Sequence, residues 1–370
     1  MNLQQIEKKI DGFTLPVFPQ MLVQMKKVTS NEHASVKDLA EIILKDQSLT
    51  SKILSVANSA YYGFYAKVST ITQAIIVLGF ESVKNIALGL SVYNGLSSFV
   101  KTPSIQQFWE HSLATGVCAE LLAEKLGYSP SEEALVAGLI HDVGKLLLVH
   151  LCPEEYREVE KVIAEHNAYS YVVEASLLGV THAQAGELLT RKWGLPGSLT
   201  DVVAQHHKKE WGSSILTDIV AFSDFMIDVL ASGKEPSRVE QLINMGSSVL
   251  NLKKESINNV IQVLAERLDE YSRIFEIRIE NLMAYTTMVE EEYARLKKST
   301  LAKDLSKQEE DLSIIAEISN ALISGHPQDE ILQMVMEGII RIEGADVVFL
   351  SVVDHEHSMI RARFGLGRNV

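Results

Sequence analysis

From the N-terminus to about residue 270, apolar side chains recur at helical spacing and no run alternates with period two, which confines this stretch to an all-α fold. Start and stop signals sit at nearly every junction. Ser35 with Asp38 reads as a capping box before LAEIILKD, Asp46 as the cap of SLTSKILSVANS, and Thr181 as the cap of a helix from His182 to Trp193. Gly79 closes TQAIIVLG, and Gly194 with Pro196 ends the His182 helix.

At Ile257 the pattern becomes a seven-residue repeat. Ile261, Leu268, Phe275, Leu282, Val289 and Leu296 hold one seam position, and Ile257, Leu264, Tyr271, Arg278, Tyr285 and Glu292 hold the other. Such a seam predicts a parallel two-stranded coiled coil, with polar Arg278 and Glu292 fixing its register, and hence a homodimer through the 257–296 helix. The alternative is a long helix packed back on its own domain. The phase slips near Ser299 and resumes at Leu301, Leu305, Leu312, Ile315 and Leu322.

Beyond Gly325 the texture changes again. A helix over 326–342 is followed by β-branched ADVVFLSVV and alternating SMIRARF, two strands joined by Asp354 to His357. A lone hairpin is marginal in water, so the last stretch reads as the front of a larger α/β domain, truncated at Val370. The expected layout is a mainly α protein: a helical domain over 1–256, a connecting coiled-coil helix over 257–312 and an incomplete α/β segment over 313–370.

The 48 acidic residues outnumber 34 basic ones, and the net charge of −14 disfavours nucleic acid and anionic membranes as partners. Cys118 and Cys152 sit in apolar helical patterns and supply no disulfide framework, which fits a reducing, cytoplasmic setting. MNLQQIEKKIDGF lacks the apolar core of a signal peptide, and runs such as AIIVLGF are shorter than a membrane span.

Histidines and aspartates recur on successive helices: His111, His141 with Asp142, His182, His206 with His207, and Asp224. Imidazole with carboxylate suits one or two divalent transition metals, iron, manganese, zinc or nickel, held between helices that face one cavity. In LVAGLIHDVGKLLL the carboxylate of Asp142 lies in an apolar helix, where burial without a compensating cation is costly. Lys145 shares that helical face and is placed to reach an anion beside the metal. Gly144 lowers helix stability relative to alanine, so its position predicts a close approach to another backbone or a ligand. His150 and His166 lack such companions, and the acidic runs at 290–292 and 309–311 read as a solvated helix face.

The ordered set His111, His141-Asp142, His182, His206-His207 and Asp224 resembles the HD-domain superfamily of metal-dependent phosphohydrolases, in the pattern of the HD-GYP phosphodiesterases. LPVFPQMLVQMKKV, DLAEIILKDQSLTSKILSVANSAYYG and STITQAIIVLGFESVKNIAL resemble the HDOD family of bacterial signalling proteins over about residues 14–230. These resemblances imply His111, His141, His182, His206, His207 and Asp224 as metal ligands, Asp142 as a bridging ligand and Lys145 as a phosphate contact. Two departures stand out: Gln107 where some HD-GYP sites carry glutamate, and KKEWGSS after the paired histidines in place of a GYP loop. Many HDOD domains lack the ligands and serve as scaffolds. The cluster Asn58, Ser59, Tyr61, Tyr62, Gly63 and Phe64 belongs to the family signature, and its bland reading is a packed helix corner. Residues from 313 onward resemble the opening of a GAF domain. The function implied is a cytoplasmic signal-transduction protein that retains a metal site, coupled to a GAF-type sensor and acting on other signalling proteins. The alternative is an active phosphohydrolase on a nucleotide or cyclic dinucleotide, a phosphorylated small molecule.

Overall fold

The structure, a computed structural model, describes residues 34–63, 67–97, 105–166, 168–207, 211–212, 214–232, 236–280, 307–343, 347–354 and 359–367, together with Lys8 and Gln24. The chain forms two compact units, Met1–Glu290 and Glu291–Val370. Helices of the first unit are α1 (Val36–Ile43), α2 (Gln47–Ala57), α3 (Ile71–Leu78), α4 (Phe80–Ser97), α5 (Ile105–Leu126), α6 (Ser131–Ile140) and α7 (Val143–Leu151). They continue as α8 (Pro153–His166), α9 (Ser170–Leu178), α10 (His182–Trp193), α11 (Gly197–Gln205), α12 (Ile215–Ser232), α13 (Pro236–Leu250) and α14 (Lys254–Phe275). The expected caps are formed: Ser35 and Asp38 make a reciprocal box, Asp46 accepts from the Leu49 amide, Thr181 boxes with Gln184, and Gly194 closes α10 in the left-handed conformation.

Helix α5 is the centre of the unit. It is buried nearly all round from Ser112 to Ala123, as a helix enclosed by other helices must be, and it packs against α6, α12 and α14. The α5–α6 approach is close, because a Cβ on Gly138 would lie 2.6 Å from Gly116 Cα. The 21-residue stretch Ser131–Leu151 is long and apolar enough to cross a membrane, contrary to the expectation from shorter runs, but most of it is buried inside this helical core.

The repeat beginning at Ile257 has a different partner from the expected one. Ile257, Ile261, Leu264, Leu268, Tyr271 and Phe275 are buried against the chain's own helices, chiefly α5, and α14 ends at Glu276 in the left-handed region. A seven-residue apolar seam fits a flat helical neighbour as well as a second copy, and here α5 supplies the neighbour. The boundary expected at 256 therefore falls inside the first unit, and residues 257–275 are not a free coiled coil. Seam positions 282–296, and with them Leu301 and Leu305, lie outside the described residues.

Polar contacts tie α14 to the Asn58–Gly63 corner. Tyr61 and Tyr62 hydroxyls donate to Glu124 and Glu132 at 2.7 Å, and the Arg267 guanidinium lies 3.4 Å from the Tyr61 ring centre. Arg267 also faces Glu120, 3.4 Å away, and Tyr271 donates to that carboxylate at 2.8 Å. Burial pushes the Glu120 carboxyl up to about 8, although Arg267 and Tyr271 oppose the shift. Asn58 bridges back to Val68 through both its amide nitrogen and its oxygen, so the corner is packed and hydrogen-bonded. Phe64 lies outside the described residues.

In the second unit α15, over 307–323, packs with α16 (Gln328–Glu343), burying Ile314, Ala321 and Met336, while Leu312, Ile315 and Leu322 remain exposed. The expected hairpin follows: β1 (Val347–Asp354) pairs antiparallel with β2 (Met359–Gly367), from Val347 opposite Gly367 to Asp354 opposite Met359.

Candidate metal centre

Every residue expected at the site converges there. His111 comes from α5, His141 and Asp142 from the break between α6 and α7, His182 from the first turn of α10, His206 and His207 from the end of α11, and Asp224 from α12. The apolar run that carries His141 and Asp142 drives that break into the core, so both are almost completely buried. Gly144 then lets α7 meet α10 backbone to backbone: a Cβ there would lie 2.6 Å from the Gly186 amide nitrogen and closer still to the His182 carbonyl oxygen. That approach brings His182 beside Asp142.

The seven side chains divide into two groups, Asp142 with His182, His206 and His207, and His141 with His111 and Asp224, each close enough together to hold one ion. Asp142 joins them. Its Oδ1 lies 3.0 Å from His182 Nε2 and 3.5 Å from His206 Nε2, while Oδ2 lies 3.3 Å from His141 Nε2 and 3.9 Å from His111 Nε2. Asp224 Oδ1 is 3.0 Å from His111 Nε2 and 3.5 Å from His141 Nε2. A carboxylate with one oxygen toward each group is the arrangement that bridges two cations.

Outer contacts fix how the imidazoles present themselves. His141 Nδ1 donates to Gly138 O at 2.6 Å, His206 Nδ1 to Val203 O at 3.0 Å, and His182 Nδ1 to Glu174 Oε2 at 2.7 Å. With Nδ1 turned to these acceptors, Nε2 of each ring is the nitrogen left facing the centre, where an ion would take the place of any proton it carries. Sequence reasoning missed Glu174, which is fully buried, also accepts from the His182 amide and is held by the Tyr156 hydroxyl at 2.9 Å. Its signal was available, since SYVVEASLL buries a carboxylate among apolar residues as LIHDVG does.

The donor set fits a cation pair. His141 Nε2 and Asp142 Oδ1 are buried without a hydrogen-bond partner, a costly condition that a bound ion relieves. Burial disfavours charge on Asp142, yet Lys145, His141 and His182 hold its carboxyl well below the usual range, so it is ionised at neutral pH. Burial likewise opposes a proton on His141, but Asp142 and Asp224 carry that imidazole up to about 10, whereas burial and the neighbouring histidines push His207 down to about 2. The group beside His141 thus attracts positive charge, and the His207 side offers neutral imidazole. Both are what a divalent ion requires.

A cavity of about 730 Å³ opens onto the centre at His111, Lys145, His207 and Asp224, and extends past Tyr169, Tyr171, Asp228 and Arg238. Lys145 pairs with Asp142 Oδ2 and lines this cavity as well as a smaller one of about 250 Å³ that contains Gln107. The sequence pattern of the HDOD domain matches residues 15–209, more than half of the 370 residues.

The chain belongs to the HDOD family. It is 26% identical over 241 residues to an uncharacterized protein of Treponema pallidum, covering 62% of this chain and 45% of that one. Ribonuclease Y of Geobacter sulfurreducens is 27% identical over 213 residues, covering 56% of this chain and 32% of the enzyme. The HDOD chain therefore spans less than half the length of these relatives. A solved HDOD domain protein of unknown function from Geobacter sulfurreducens superposes with a TM-score of 0.61 at 22% identity, covering 74% of this chain and 98% of that one. A candidate metal-dependent phosphohydrolase from Shewanella amazonensis superposes with a TM-score of 0.54 at 19% identity, covering 74% and 97%. Both share the fold. Asp224 lies beyond the residues that match the HDOD pattern, and the geometry brings it to the centre beside His111 and His141.

Glu174 provides a test of the outer contacts. Replacing it with alanine removes the acceptor of the His182 backbone amide and of its Nδ1, and metal affinity measured by competition with a chelator should fall about 10- to 100-fold. An unchanged affinity would show that α10 alone orients His182.

Proposed function

We propose that the HDOD unit is a metal-dependent phosphohydrolase within a signalling chain. The observation that carries this reading is Asp142, whose two oxygens face the two ligand groups at the side of an open cavity that also holds Lys145. Structural metal sites are closed by protein ligands, whereas hydrolytic sites keep an open position, and the cavity favours the second. His182, His206 and His207 with Asp142 would hold one ion, and His111, His141 and Asp224 with Asp142 the other. Such a pair supplies a lowered pKa for water and charge stabilisation for phosphoryl oxygens. Lys145 adds a fixed positive charge beside the phosphoryl group, and Glu174 keeps His182 from turning. The order of the His and Asp residues along the chain supports reading the unit as a relative of the HD superfamily and its HD-GYP enzymes. The likeness to ribonuclease Y, an enzyme named for cleaving RNA, supports phosphodiester chemistry.

The second unit is read as the opening of a GAF-type sensor, supported by its order of helix, helix, strand, strand. The whole chain, purified without chelator, is expected to carry about two metals by elemental analysis. It should also hydrolyse at least one member of a panel of aryl phosphates, nucleoside phosphates, cyclic dinucleotides and short RNA when supplied with iron or manganese. Chelation should abolish that turnover and added metal should restore it. Metal content below one per chain, unchanged by His141→Ala, overturns the metal centre. Bound metal with no turnover replaces the hydrolytic reading with a scaffold.

A further inference from the structure

Two seven-residue repeats follow one another along the chain, and they differ in what covers them. The apolar seam of α14 is buried against α5, whereas Leu312, Ile315 and Leu322 on α15 are each more than half exposed. These three share one heptad phase, with Ser319 at the intervening position, and Ile323, 85% exposed, borders them. Another side of α15 is already occupied. Ile314 and Ile318 press on α16 at Gly338, where an added Cβ would lie 3.0 Å from Ile314 Cγ2 and 3.3 Å from Ile318 Cδ1. Helix α15 therefore has two apolar faces, and the described residues of its unit cover one of them.

We propose that the open face of α15 pairs with the same face of a second copy of the chain, forming a parallel, in-register two-stranded seam. The proposal stands apart from the hydrolytic reading, since every residue of the His/Asp centre lies in the first unit. Length is the first reason. In the sequence the same phase runs back through Gln308, Leu305 and Leu301, so the stripe spans three heptads, about 30 Å of helix, the length over which such a repeat signals a coiled coil. Self-complementarity is the second. Among the described residues no other helix carries three exposed large apolar side chains in one heptad phase, so the face that matches α15 is α15 itself. The polar residues then set the register. Gln308 and Ser319 cost least opposite their own copies, because a shifted or reversed seam sets them against leucine or isoleucine. Ser319 also donates its hydroxyl to the Ile315 carbonyl at 2.8 Å, so it needs no partner across the seam. Glu309 and Asp311 border the stripe at its start and gather acid there in the pair, which opposes association at low salt.

Sedimentation equilibrium of the full chain tests this. The wild type should show twice the monomer mass, and added salt should tighten the pair by screening those carboxylates. Leu312→Lys combined with Leu322→Lys should weaken association on the order of 100-fold or more, because both charges would lose water in the seam. Ile76→Lys, at a 70% exposed site on α3, should leave the mass unchanged. A cysteine readout does not depend on the lysine variant folding. Ser319→Cys should form an intermolecular disulfide on mild oxidation, since copies in register bring the two residues within bridging distance, and Ser313→Cys, on a different exposed side of α15, should not. The native Cys118 and Cys152 are buried and do not compete. A monomeric wild type, or a pair that survives both lysines, overturns the proposal. Equal cross-linking at 313 and 319, or a pair that salt loosens, overturns the seam assigned to it.

Discussion

Gly144→Ala is expected to lower the melting temperature by roughly 5–10 °C and to reduce the metal content of the purified protein. Two effects oppose each other. Alanine is the better helix former by about 1 kcal/mol, so on an open helix face the change would be stabilising. At Gly144 the new methyl group meets only backbone: the Gly186 nitrogen at 2.6 Å, the His182 carbonyl carbon at 2.8 Å, and the His182 carbonyl oxygen nearer still. No rotamer relieves such a contact, and α7 and α10 must separate. Overpacking costs about 1–3 kcal/mol, and more where the neighbour cannot yield, so with only backbone in the way the cost lies at or above the top of that range and exceeds the helix gain by ~2 kcal/mol or more. Separation also moves His182 away from Asp142, which links the stability loss to metal loss. Gly197→Ala is the control, because a Cβ there meets nothing within 4 Å. A Gly144→Ala protein that melts at or above the wild-type temperature and keeps its metal would sink the close-approach account.

The need for glycine at 144 was legible before any coordinates, as was the ligand set, because both follow from polar or flexible residues where an apolar helix does not want them. Asp142 inside LVAGLIHDVGKLLL is such a signal, and all seven residues drawn from the sequence meet at one centre. Less legible was how the set divides. Spacing along the chain does not say that His206 and His207 sit with His182 while His111 sits with Asp224, since helix packing decides it. Glu174 went unread because its partner His182 is eight residues away on another helix, with no periodicity relating them. The repeat from Ile257 shows a deeper limit. Leu264, Leu268 and Tyr271 have the spacing of a two-chain seam, yet their partner is α5 of the same chain. Periodicity reports that a helix has an apolar face and leaves open what covers it. The buried Arg267, paired with Glu120, is the kind of residue that distinguishes the cases, because a charge at the border of the seam finds its counterion inside the domain.

Asp142→Asn should have the largest effect on the centre itself. The substitution keeps the size of the side chain and removes the negative charge from the one group that faces both ligand sets. An outer-shell partner is worth about 10- to 100-fold in metal affinity, so loss of the bridging charge should exceed ~100-fold and leave the isolated protein close to metal-free. The apo fold should suffer too. Asp142 is buried and paired with Lys145, and stranding one partner of a buried pair costs about 3–5 kcal/mol, an upper bound here because an amide can still accept a hydrogen bond. The acid side supplies a further check. A carboxyl held below its usual pKa contributes stability that is fully present above ~pH 4 and is lost as pH falls through its folded value, so that part of the acid transition should vanish in the variant. Lys145→Met then separates binding from chemistry. It leaves all seven ligand residues in place, so metal content should persist while turnover falls; loss of metal from Lys145→Met and its retention in Asp142→Asn would reverse the roles assigned to the two residues.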